Sequence, residues 1–103
     1  MTKYLITLGL PILVILLSIP MVMGVVPPNR YYGLRVGKTY ASPELWYAGN
    51  RIGGTYILVG GIIALVLAQI LVQKDASSGL TLVAVLAPIL IAVFASLLHV
   101  QAL

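Results

Sequence analysis

PPNRYYGLRVGKTYASPELWYAGNRIGG, residues 27–54, is the one long polar interval in a chain that is otherwise almost continuous hydrocarbon. It holds Arg30, Arg35, Lys38 and Arg51, four of the six Lys/Arg residues, together with Glu44, the only Trp and four of the six Tyr. Any chemistry the chain carries is expected here.

On either side the composition is that of a membrane protein. Of 103 residues 61% are hydrophobic and only 8% charged, well outside the balance of a soluble domain. Three spans of about 20 residues use most of the length, so one membrane domain, residues 1–103, is predicted, with spans at about 4–26, 52–73 and 80–98 and a polar motif loop at 27–51. The net charge of +4 reports topology and anionic headgroups rather than nucleic acid, because no basic fold or patch accompanies it. The absence of Cys removes disulfides, thiolate metal sites and cysteine nucleophiles.

The first span, Tyr4 to Val26, is about 35 Å long as a helix. It begins after Lys3 and passes Val22-Met23-Gly24, a sequence a signal peptidase could accept, but its apolar run exceeds a signal h-region, and a retained span is expected. Pro11 and Pro20 predict kinks. Val26-Pro27-Pro28 is expected to end the helix. Asn29 to Ala41 reads as an irregular connector, with Tyr31, Tyr32 and Tyr40 at headgroup level and Arg30, Arg35 and Lys38 facing phosphates.

Ser42-Pro43-Glu44 has the chemistry of a helix start: a capping hydroxyl, proline at the first helical position, and an acid beside the positive dipole end. From Pro43, Trp46, Asn50 and Gly53 share one face and Glu44, Tyr47 and Arg51 another, which predicts a short interfacial amphipathic helix. Gly53-Gly54 permits a bend into the second span, with a continuous tilted helix as the alternative. On that span Gly49, Gly53, Gly60, Ala64 and Ala68 form a small-residue stripe that lets helices approach closely. A tight turn at Asp75–Gly79 leads to the third span, with its own stripe of Ala84, Pro88, Ala92 and Ser96. The fold class is therefore all-α membrane protein, three transmembrane helices with a short interfacial helix before the second.

Four Lys/Arg in the connector against Lys3 and Lys74 opposite place the connector and C-terminus in the cytoplasm and the N-terminus outside. Catalysis has little to work with. Glu44 and Asp75 fall on opposite sides of the membrane and cannot act as an acid/base pair. His99, the only imidazole, is the sole metal-ligand candidate, and a lone interfacial His is ordinarily structural; no metal and no cofactor is expected. The three spans contain no ionisable group of the kind a transporter uses.

Gly33-x-Arg35, Thr39, Ser42, Glu44, Trp46, Asn50 and Gly53, in this order and set between two apolar spans, resemble the signature of the SdpI family of small bacterial membrane proteins. The match is dense over about 25 residues, and the three-helix layout extends it along the chain. Val36 departs from the pattern, in which Thr or Ser commonly follows the arginine. The resemblance implies a noncatalytic immunity or signalling protein of the bacterial cytoplasmic membrane, here a short form with a single motif unit. Gly33, Arg35, Thr39, Glu44, Trp46, Asn50 and Gly53 are then the candidates for binding a peptide or protein partner, while Gly49, Gly60, Ala64 and Ala68 pack helices. Arg35 is expected to meet Glu44, Asn50 or backbone carbonyls and to fold the connector into a cap. A second function class is an accessory subunit at the periphery of a larger membrane complex, with lipid, other subunits or a second copy of the chain as partners; three helices with short loops and almost no soluble mass suit it.

Overall fold

The computed structural model describes residues 2–29, 31–34 and 36–103. Four helices follow in order among them: α1, Thr2–Met23; α2, Gly37–Tyr40; α3, Pro43–Gln73; and α4, Ser78–Gln101. Leu5–Met23 of α1, α3 and α4 are each long and apolar enough to cross a membrane, which makes this a multi-pass membrane protein.

α1 stops earlier than Pro27 and Pro28 alone would require. Gly24 has φ +71°, its N–H bonds Met21 O at 3.2 Å, and Val25 N bonds Pro20 O at 3.3 Å. This is a Schellman cap, with glycine supplying the left-handed residue and the prolines following it.

Ser42 does cap α3, accepting the Leu45 N–H at 3.1 Å, with Pro43 and Glu44 in the first turn. The expected separate interfacial helix is not formed. Pro43 to Gln73 is one helix of 31 residues, about 46 Å long, and the amphipathic segment is its first turns. The reason lies in what Gly53 and Gly54 do. Both are buried, and a Cβ on Gly54 would lie 2.9 Å from Met21 Cβ and 3.1 Å from Ser18 O of α1. They are flat places for neighbours to rest on, and the helix continues through them.

α3 is the centre of the molecule, packing against both α1 and α4, which touch each other much less. Two glycine faces make this possible. Gly54 and Gly61 meet α1, at Met21 and Ile15, while a Cβ on Gly60 would stand 2.6 Å from Ala92 Cβ and 3.0 Å from Pro88 O of α4. Without a hydrophobic force between helices in lipid, such close backbone approach is what lets dispersion hold the bundle. Ala64, Ala68 and Val85 form a wholly buried cluster flanked by Leu8, Leu10 and Ile89. The buried hydroxyls of Ser18, Thr81 and Ser96 donate to their own helices' carbonyls at Ile15, Ser77 and Val93, so they enter the interior satisfied.

α3 ends in a second Schellman cap, at a non-glycine residue. Asp75 has φ 56°, its N–H bonds Val72 O at 3.1 Å, and Ala76 N bonds Leu71 O at 3.0 Å. The turn is shorter than expected, because Ser77 caps α4 by accepting the Leu80 N–H at 3.2 Å and Gly79 already lies in the helix.

Candidate functional site

The described residues of the connector, 24–29, 31–34 and 36–42, are folded over one end of the bundle. Asn29 organises the first bend as an Asx turn, its Oδ1 accepting the N–H groups of Tyr31 at 2.8 Å and Tyr32 at 2.7 Å, and its Nδ2 donating to Pro27 O at 2.8 Å. The Tyr32 hydroxyl donates to Leu17 O on α1. Partial burial pushes the Tyr32 phenol above its ordinary pKa, since the phenolate is the form that loses solvation.

The chain then passes under α3. Gly33 has φ +107°, and a Cβ there would lie 2.7 Å from Asn50 Oδ1 and 3.3 Å from Trp46 Cζ2. Conformation and space both demand glycine. Immediately beyond, Leu34 meets Asn50. The Asn50 Oδ1 accepts the Leu34 N–H at 2.5 Å, while its Nδ2 donates to Leu34 O at 3.3 Å and to Trp46 O at 2.9 Å. Asn50 is 2% exposed, so the carboxamide replaces a strand partner for Leu34 where water is absent. The Leu34 side chain fills the space over Gly53, where a Cβ would come within 2.9 Å of its Cδ2.

Trp46 has no exposed surface and its indole N–H donates to Val26 O at 2.9 Å. It therefore holds the exit from α1 against the first turn of α3. Arg51 adds a second tie, Nε to Val22 O at 3.4 Å. In α2, Thr39 Oγ1 accepts the Val36 N–H at 3.0 Å and donates to Val36 O at 2.8 Å, and its methyl packs over Gly49 beside Val100.

Gly33, Thr39, Trp46, Asn50 and Gly53 are thus brought together, facing inward, in one assembly. Glu44 is not part of it: it is exposed in the first turn of α3. Arg35, with its expected tie to Glu44 or Asn50, lies outside the described residues, as does Arg30. Gly49, Gly60, Ala64 and Ala68 are buried on α3. The outer surface of the connector is a different population. Tyr31 and Tyr40 are 84% and 55% exposed, Lys38 and Glu44 are exposed, and a shallow pocket of about 230 Å³ is lined by Pro28, Thr39, Tyr40, Ala41, Ser42 and Pro43.

Sequence reasoning missed Leu34, the residue the cap is built around, because one leucine among many carries no mark of its partner. Gly54 and Gly61, seven residues apart, mark one face of α3 in the sequence, distinct from the face of the Gly49–Ala68 stripe. His99 is accounted for by a neighbour: its Nδ1 lies 3.0 Å from the Tyr56 hydroxyl, with the rings edge to face. Among the described residues no three His, Cys, Asp or Glu gather to hold a metal, and Glu44 and Asp75 are separated by the whole of α3, about 46 Å.

Three apolar helices of membrane-crossing length, with a polar connector locked into one end, define a multi-pass helical membrane protein with an ordered cap. Gly33, Thr39, Trp46, Asn50 and Gly53, five of the signature residues, take part in locking it, and residues 25–98 match the SdpI/YfhL protein family. The chain belongs to that family. No curated protein and no solved structure matches it.

Proposed function

We propose that this chain is a noncatalytic immunity or signalling protein of the SdpI type, resident as one membrane domain in a bacterial cytoplasmic membrane, which receives a peptide or protein partner on the outer face of its connector. The observation that carries the reading is the division of labour in the cap. The inward signature residues are engaged with their own chain, so they set the shape of the connector, and the exposed Tyr31, Lys38, Tyr40 and Glu44, of which Tyr40 lines the shallow pocket, are left to meet something else. Exposed tyrosines beside charges are suited to such contacts.

The charge pattern supports a cytoplasmic connector and C-terminus with the N-terminus outside. The first turns of α3, Pro43 to Arg51, then lie at the interface, with Glu44 towards water.

The test is to place a photo-crosslinking amino acid at Tyr40 in producing cells and to compare Lys38→Glu and Tyr31→Ser in the same background. A defined peptide or protein adduct that both substitutions abolish, with the amount of membrane protein unchanged and protection against the peptide lost, is expected. No adduct, or one indifferent to both substitutions, would sink the proposal. Stoichiometric elution with large membrane subunits would replace it by the accessory-subunit reading.

A further inference from the structure

One polar side chain of α3 is left outside the fold. The hydroxyl residues deep in the spans, Thr7, Ser18, Thr81 and Ser96, are buried at 3% exposure or less, and Thr55, though exposed, donates to Arg51 O one turn back at 2.8 Å. Gln69 is exposed, and its carboxamide has no hydrogen-bond partner among the described residues. We propose that Gln69 is the centre of an interface between two copies of this chain, paired side by side in the bilayer along the outer face of α3.

Depth makes the unpaired amide costly. Arg51 and Lys74 bracket about 34 Å of α3, so a hydrocarbon core of about 30 Å centred between them leaves the Gln69 Cα about 5 Å inside it. A long side chain on a helix leans towards the N-terminus, which for α3 is the connector end. Gln69 therefore leans further into the bilayer, away from the water at Lys74. A hydroxyl can return to its own helix's carbonyls, as Thr55 does, whereas a carboxamide brings two N–H donors and an acceptor that one backbone carbonyl does not satisfy. Acyl chains offer it neither donor nor acceptor.

The occupant follows from the amide's chemistry and from symmetry. A second carboxamide at the same depth satisfies the first reciprocally. Copies inserted under the same charge bias share one orientation, and the two-fold axis that relates them then runs along the bilayer normal. Every residue on the seam faces its own counterpart, Gln69 opposite Gln69. Ile62, Val66, Gln69 and Gln73 are all exposed and follow one another at the four-three-four spacing of a left-handed helix pair. No charged residue lies between Arg51 and Lys74, so the seam sets no like charges against each other. The small-residue stripe offers no rival face, because Gly49, Gly60, Ala64 and Ala68 are already buried within the chain.

The chain has no Cys, so single cysteines in the full-length protein report proximity in its own membrane. Oxidation is expected to join two V66C chains through one disulfide, several-fold more than L13C or I91C on the exposed faces of α1 and α4. Energy transfer between end-labelled chains diluted into phosphatidylethanolamine and phosphatidylglycerol vesicles gives the dissociation constant of the pair. Q69L is expected to raise it about tenfold, the scale of an interhelical hydrogen-bonded pair in lipid, while Q69N keeps a carboxamide and loses less. Because Gln69 bonds nothing within its own chain, thermal unfolding of the Q69L monomer is expected to match wild type. Should Q69L not accumulate, V66F, which forces the seam apart and leaves the amide in place, is read instead and is expected to dissociate the pair. Equal cross-linking of V66C, L13C and I91C, a dissociation constant that the seam variants leave unchanged, or a V66C adduct with a different membrane protein in place of the two-chain product would each overturn the proposal.

Discussion

Asn50 grips Leu34 by both of its backbone polar groups, across sixteen residues of sequence, with Oδ1 on the N–H at 2.5 Å and Nδ2 on the carbonyl at 3.3 Å. Neither group of Leu34 has a helix or sheet to satisfy it. The polar link from Leu34 to α3 depends on one carboxamide. Asn50→Ala is expected to cost about 2–3 kcal/mol by leaving buried polar groups unpaired, and Asn50→Asp at least as much, since a second acceptor then faces Leu34 O and Trp46 O. Thermal unfolding in detergent and protease cleavage within 27–41 measure it; an Asp variant as stable as wild type would remove the clamp.

Trp46 contributes a donor as well as volume. Trp46→Phe keeps most of the buried ring but leaves Val26 O without the indole N–H, for about 1–2 kcal/mol, whereas Trp46→Ala adds a large void and reaches about 3–5 kcal/mol. Unfolding midpoints of the two variants separate the hydrogen bond from the packing. Indistinguishable midpoints would argue that the bond to Val26 is idle.

Three glycines rank themselves by what a methyl group would meet. At Gly60 it meets Ala92 Cβ and the Pro88 backbone, at Gly53 only the end of the Leu34 side chain, and at Gly79 nothing within 4 Å. Gly60→Ala is therefore expected to be the most damaging, Gly53→Ala intermediate because Leu34 can turn aside, and Gly79→Ala neutral or stabilising by up to about 1 kcal/mol through helix propensity. Relative thermal stabilities in one detergent check the order.

Asp75 occupies a left-handed cap at φ 56° that glycine adopts without strain. Asp75→Gly is expected to stabilise the chain by about 0.5–1 kcal/mol, the relief of the left-handed penalty less the added freedom of the unfolded chain. Calorimetry or denaturant titration of the purified variant reads the sign, and a destabilised variant would contradict it.

Tyr32 carries a pH dependence. Its folded pKa is raised by burial, so below the ordinary phenol pKa both states are protonated and its contribution is intact. Above that pKa the unfolded chain ionises first, and stability is lost as the pH rises through the folded value. Unfolding temperature is expected to fall on going from neutral pH to about pH 11 less steeply in Tyr32→Phe than in wild type. Identical alkaline profiles would show that this phenol is not the group responsible.

Much of this fold was legible because its determinants are local. Ser42-Pro43-Glu44 specifies the start of α3 within a single turn, and the spans follow from uninterrupted hydrocarbon. The signature could be read as a set, yet not as a geometry. Asn50 finds Leu34 and Trp46 finds Val26 only after the connector has doubled back, and no local pattern encodes such a partner. Gly53-Gly54 left two readings open for a related reason: two glycines locally permit either a bend or a continuous helix, and only in the bundle, where they receive Leu34 and α1, is the unbroken helix decided. Gly24 was open to recognition as a cap, but the adjacent prolines offered a simpler stop.

The central place of α3 has a consequence for the order in which the molecule is made. α1 makes few contacts with α4, and the ties at Val22, Val26 and Leu34 all run to residues between Trp46 and Arg51. A nascent chain that has been synthesised as far as Gln73 already possesses both sides of every one of them. The lid can shut while the ribosome is still producing α4, which then arrives at a surface already formed, with Val100 sliding beside Gly49 as one of its last moves.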